Sequence, residues 1–106
     1  MRIIMTTTLP ADAPRLACTL LEERAIACCN ILPATTSMYW WQDAITTETE
    51  ALLLMKVPTE RVEAVMQRVR ELHPYDLPEI LSLPISHASE AYVRWVNESC
   101  RATLED

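Results

Sequence analysis

The chain predicts an α+β fold, an antiparallel sheet with helices packed on one face. Three observations carry that expectation. Runs rich in β-branched and aromatic residues alternate with stretches whose apolar positions recur at helical spacing. The middle of the chain, roughly residues 26 to 57, is apolar and extended for far longer than one ordinary strand and reads as a hairpin. The seven prolines fall at the borders of these runs, where a residue without an amide hydrogen is tolerated.

In order, Arg2 to Thr8 is β-branched and reads as the first strand. Pro10, Asp12 and Pro14 supply helix-start chemistry, with Asp12 as the expected cap. Leu16, Ala17, Leu20 and Leu21 then form an apolar stripe to about Arg24. Ala25 to Leu32 is an apolar run ending at Pro33, and Met38 to Gln42 is a second extended run carrying Tyr39, Trp40 and Trp41. Gln42, Asp43 and Ala44 read as a turn into Ile45 to Val57, which Pro58 stops. Thr59 is the expected cap of a helix with Val62, Val65, Met66, Val69 and Leu72 on one side, ended by His73-Pro74. Glu79 to Ile85 is a last strand, with Pro84 suited to an edge or terminus. Ser89 caps a final helix presenting Tyr92, Val93, Trp95 and Val96 before Cys100. The resulting order, β-α-β-β-α-β-α, is the ferredoxin-like split βαβ with an added C-terminal helix. The whole chain, 1–106, is read as one domain.

Composition excludes several functions. The 106 residues include no glycine, where average usage of roughly 7% would give about seven. Phosphate-cradling loops and the nucleophile elbow both need glycine, so neither is expected. Nine basic against fifteen acidic residues give a net charge of -6. With the basic residues scattered, neither nucleic acid nor an anionic membrane is an expected partner. No apolar run reaches membrane-span length, and Ile3 to Met5 is too short for a signal peptide, so the expected location is the cytoplasm.

The four cysteines, Cys18, Cys28, Cys29 and Cys100, are then expected as free thiols. Cys28 and Cys29 point to opposite faces of a strand. A free cysteine there packs as a small hydrophobe; one facing a cleft offers the soft ligand that selects Cu(I). His73 is a metal ligand or a helix-end cap, and no His-x-x-x-His pair announces a zinc site. Lys56 ends an apolar run and is expected to pair with a carboxylate, Glu79, in a structural ion pair or in an inter-subunit pocket with Tyr39, Tyr75 and Trp41. Glu48 and Glu50 share a strand face and read as solvated carboxylates. No serine or threonine has a histidine and an acid at triad spacing, so no enzyme activity is expected. The hairpin is too long for two helices to cover, and its edges call for a neighbouring subunit.

These residues together resemble the CutA family, the divalent-cation tolerance proteins. The resemblance rests on Ala27-Cys28-Cys29-Asn30-Ile31-Leu32-Pro33, Ser37-Met38-Tyr39-Trp40-Trp41, Lys56-Val57, His73-Pro74-Tyr75, Pro78-Glu79-Ile80-Leu81, Leu83-Pro84-Ile85, and Tyr92, Trp95 and Val96. It implies a PII-like homotrimer paired through the long hairpins, a role in tolerance of copper and other divalent cations, and no catalytic reaction or obligatory cofactor. It implies that recurring polar and aromatic positions, here Cys28, Asn30, Ser37, Tyr39, Trp41, Lys56, His73, Tyr75, Glu79 and Trp95, lie in part near clefts between subunits. Metal ligands are expected among Cys28, Cys29, His73 and nearby carboxylates, and an inter-subunit cleft is expected to be lined by Tyr39, Trp41, Lys56, Tyr75, Glu79 and Trp95. A PII-like regulatory module binding a small molecule in that cleft is the alternative. Where the family commonly has glycine, this chain has Asp43 and Ala88; Met5 and Leu72 stand where some members have a cysteine and a further histidine. Asp43 is expected in a left-handed conformation and Ala88 at negative φ.

Overall fold

A computed structural model describes residues 1–101; residues 102–106, the end of the expected 1–106 domain, lie outside the described residues. The elements are β1 (Arg2–Thr8), α1 (Ala13–Glu22), β2 (Cys28–Trp41), β3 (Ala44–Val57), α2 (Val62–Leu72), β4 (Ile80–Pro84) and α3 (Glu90–Ser99). The sheet runs β2-β3-β1-β4, and every neighbouring pair is antiparallel. This is the expected ferredoxin-like order with its added helix.

Side-chain alternation along β3 divides the sheet into two faces. Ala51, Leu53, Met55 and Val57 are fully buried with Ile4, Leu16, Leu20, Val65 and Val69, and this face carries α1 and α2. The intervening Leu52, Leu54 and Lys56 share the opposite, open face with their register partners Thr7, Met5 and Ile3 and with Leu81 and Leu83. α3 lies across the end of the sheet. Val96 and Cys100 pack on Ala27, while the Tyr92 hydroxyl meets Cys28.

Several boundaries differ from expectation, each for a local reason. Short 3-10 turns, Pro10–Asp12 and Thr59–Arg61, precede both α1 and α2, so neither Asp12 nor Thr59 caps. The Asp12 carboxylate accepts from Arg15 at 2.9 Å, and the Thr59 hydroxyl accepts from the N-terminal ammonium at 2.8 Å. α1 stops at Glu22, and Arg24 follows at φ 59, the left-handed position a glycine commonly takes. Its guanidinium donates to the Ser99 carbonyl at 3.1 Å, and Arg61 donates to that of Cys100 at 2.6 Å, so two arginines satisfy the end of α3. Pro33 does not end a strand. A register shift between Leu32 and Thr35 absorbs it on an edge strand, and β2 runs on to Trp41.

β1 pairs with β3 only as far as Thr8 and Ala51. Beyond that point β2 and β3 project together as a two-stranded arm, residues 35 to 50. Its turn places both Gln42 (φ 51) and Asp43 (φ 64) in the left-handed region, as a two-residue hairpin requires. Asp43 thus has the expected conformation, and Ala88, at negative φ, does as well. Asp tolerates this region better than Gln. Gln42→Gly is therefore expected to raise the melting temperature by a few degrees, whereas Asp43→Gly should give no clear rise; differential scanning calorimetry of the two variants separates them.

Thr8 is fully buried on the helix face, and its hydroxyl has no hydrogen-bond partner among the described residues. A buried hydroxyl left unpaired costs about 1–3 kcal/mol. Thr8→Val keeps the shape and removes that group, and urea unfolding is expected to show a gain of about 1 kcal/mol.

Candidate functional site

The open face carries two polar clusters on an otherwise apolar surface. The first lies where β2 begins. Cys28 is the register partner of Lys56, and Asn30 that of Leu54, so all four side chains share this face. The Lys56 ammonium donates to the Asn30 side-chain oxygen and, at 3.4 Å, to the Leu54 carbonyl. Cys28 Sγ lies 3.2 Å from the Tyr92 hydroxyl, whose ring sits 5.5 Å from that of Trp95. The hydrogen bond to Cys28, aided by burial, pushes the Tyr92 hydroxyl up to about 12.

The expected Lys56–Glu79 pair does not form within the chain. Lys56 stands opposite Ile3, whereas Glu79 precedes β4, and its carbonyl accepts from the Thr6 hydroxyl at 2.6 Å. β1 separates the two by three residues along its length, about 10 Å at strand rise.

The second cluster anchors the arm. Glu50 is 6% exposed and accepts from the Tyr75 hydroxyl at 2.7 Å, which corrects the expectation of a solvated carboxylate. The amide hydrogen of Tyr75 bonds His73 Nδ1 at 3.1 Å, and His73 Nε2 lies 2.8 Å from the Thr7 carbonyl. The neutral Nε2–H tautomer satisfies both contacts. Burial, then the Glu50 hydrogen bond, push the Tyr75 hydroxyl well above the usual tyrosine range. Two residues along, Tyr39 donates to Glu48, and that bond raises it to about 12. Trp41 continues the same side of the arm, 54% exposed.

The expected metal ligands occupy three different settings. Cys28 is half-exposed on the open face. Cys29 packs against the helix-side core, and burial drives its thiol up to about 11. His73 is buried with both ring nitrogens engaged. Among the described residues no three His, Cys, Asp or Glu side chains are grouped to hold a metal ion. A single chain therefore brings Cys28, Lys56, Tyr92 and Trp95 together in one cluster, and His73, Tyr75 and Glu50 in the other. Glu50 is absent from the expected site because its partner, Tyr75, lies 25 residues away, beyond any local spacing signal.

The arrangement of sheet, arm and terminal helix is matched among known proteins. The family profile described as CutA1 divalent ion tolerance protein covers residues 1–99. The chain belongs to this family. A divalent-cation tolerance protein CutA from Thermus thermophilus is 40% identical over 101 residues, 93% of this chain and 98% of the relative. The crystal structure of the divalent ion tolerance protein CutA1 from Ehrlichia chaffeensis superposes with a TM-score of 0.91 at 33% identity, covering 95% of each chain. A structure of the PII-like protein CutA from Nostoc sp. in apo form gives 0.91 at 34% identity, over 95% of this chain and 98% of that one. CutA membership and the PII-like fold thus agree with what the motifs implied. No helix among the described residues of this CutA-family chain is long and apolar enough to cross a membrane.

Proposed function

We propose that the protein is a non-enzymatic, cytoplasmic homotrimer serving divalent-cation (copper) tolerance, and that it binds the metal weakly between copies. The observation that carries this reading is the projecting arm. Met38, Trp40 and Ile45 are 68%, 71% and 65% exposed on one side of it, an apolar strip that a second copy would cover. Light scattering at micromolar concentration is expected to give three times the 12.1 kDa chain mass; a mass of one chain rejects the assembly.

Because a single chain groups no three ligands among its described residues, metal binding in this reading draws on more than one copy. Cys28 is the thiol turned to the open face, and its soft sulfur favours Cu(I). Cys29 and His73 would have to give up burial or hydrogen bonds to contribute. Calorimetric titration with Cu(I), Cu(II) and Zn(II) is expected to lose heat in Cys28→Ser. Binding unchanged in Cys28→Ser, Cys29→Ser and His73→Ala removes all three as ligands.

A second reading, a PII-like module holding a small molecule in an inter-subunit cleft, is favoured by the polar cluster at Lys56, whose register partner Cys28 meets the Tyr92 hydroxyl. In this reading the cleft is lined by Tyr39, Trp41, Lys56, Tyr75, Glu79 and Trp95. A thermal-shift screen with nucleotides and small anions tests it, and a blank screen counts against it.

A further inference from the structure

Lys56 gives that cleft a chemical class, an inference that rests on the small-molecule reading. It is the only lysine in the chain; the other basic residues are arginines. Among the described residues, ion pairs join Arg15 to Asp12 and Arg68 to Glu23 and Glu71, and Lys56 takes part in none. An ammonium has three donors. Two are spent on neutral acceptors, the Asn30 side-chain oxygen and the Leu54 carbonyl, so one donor and the full charge remain. The side chain is half-buried beside Ile3, Cys28 and Leu54.

The surroundings narrow the choice of counter-ion. Asn30 accepts through its oxygen, which leaves its amide donors directed away from Lys56 and without a partner among the described residues. The Tyr92 ring, whose hydroxyl meets Cys28, neighbours that of Trp95, and the two are 37% and 45% exposed. One cation and one amide suit two oxygens sharing a single charge, whereas phosphate sites gather several cations or helix amides. The chain's net charge of -6 further disfavours polyanions. A carboxylate of a neighbouring copy, such as Glu79, is the competing counter-ion, and a change of mass in Lys56→Met would report it. We propose that the open face at Lys56 binds a small organic carboxylate. Its oxygens meet Lys56 and the Asn30 amide, and its apolar body rests on Tyr92 and Trp95.

The test is calorimetric titration of the assembled protein with benzoate and, separately, with inorganic phosphate. Benzoate should bind, and Lys56→Met should weaken it by about tenfold or more without changing the light-scattering mass. If Lys56→Met does not fold, Asn30→Asp serves, since its carboxylate neutralises Lys56 within the chain and should likewise abolish benzoate binding. Benzoate binding equally to parent and variant overturns the proposal, as does binding of phosphate alone. A fall in mass in Lys56→Met overturns it in favour of a contact between copies. If benzoate is silent while another compound of the thermal-shift screen binds, the carboxylate class fails and the small-molecule reading stands. If the whole screen is blank, both fail.

Discussion

Replacing Trp40 with glutamate is expected to dissociate the proposed assembly and leave a folded single chain. The register sets Met38 against Thr47 and Trp40 against Ile45, so the three apolar side chains form a continuous strip on one side of the arm. None belongs to the buried core. A two-stranded ribbon has little stability of its own in water, so an arm of this length with an uncovered apolar side implies a covering surface. A tryptophan buries about 150–250 Å², which at about 25 cal/mol per Å² amounts to roughly 4–6 kcal/mol per copy once covered. Glutamate removes that contribution and would bring an unpaired carboxylate into the contact. Light scattering should report the mass of one chain, while far-UV circular dichroism keeps the helical signal because α1 and α2 pack on the other part of the sheet. A variant that retains its full mass would show that this side of the arm is not where copies meet.

The contrast between Trp40 and Trp41 shows how far the sequence could be read. Strand alternation alone places the two indoles on opposite sides. The core follows in the same way: Val62, Val65 and Val69 recur at helical spacing, and all three are buried. Local signals mislead where a distant group competes for the same atom. Thr59 has the chemistry of a cap, but the chain's own N-terminus, 58 residues away, takes its hydroxyl. Glu50 resembles Glu48 in every local respect, yet it is buried because Tyr75 reaches it from the loop after α2. Lys56 and Glu79 look like partners because both flank apolar runs; only the register shows that one stands near the start of β1 and the other near its end. The family resemblance supplied candidate residues, whereas their partners required three dimensions.

Alkaline pH is expected to unfold the protein through these same hydroxyl and thiol partners. Cys29 has its thiol raised from 9.0 to about 11, chiefly by burial. Tyr39 and Tyr92 are raised from 10.0 to about 12, chiefly by hydrogen bonds to Glu48 and to Cys28. Tyr75 is raised too, by burial and by its bond to Glu50. All four groups are neutral when protonated, so a raised value means that the folded state holds its protons to higher pH than the unfolded chain. The unfolded chain therefore binds fewer protons above pH 9, and stability falls with rising pH wherever that is so. The native advantage is fully present below the ordinary thiol value of 9.0 and declines as pH climbs through about 11 and 12. Urea midpoints measured from pH 8 to pH 12 should be level at first and then drop. Tyr75→Phe removes the most deeply shifted of the tyrosines and leaves Glu50 without its donor, so it should lower the midpoint at pH 8 and make the alkaline decline shallower. A parallel loss at every pH would mean that Tyr75 supports the arm by packing alone.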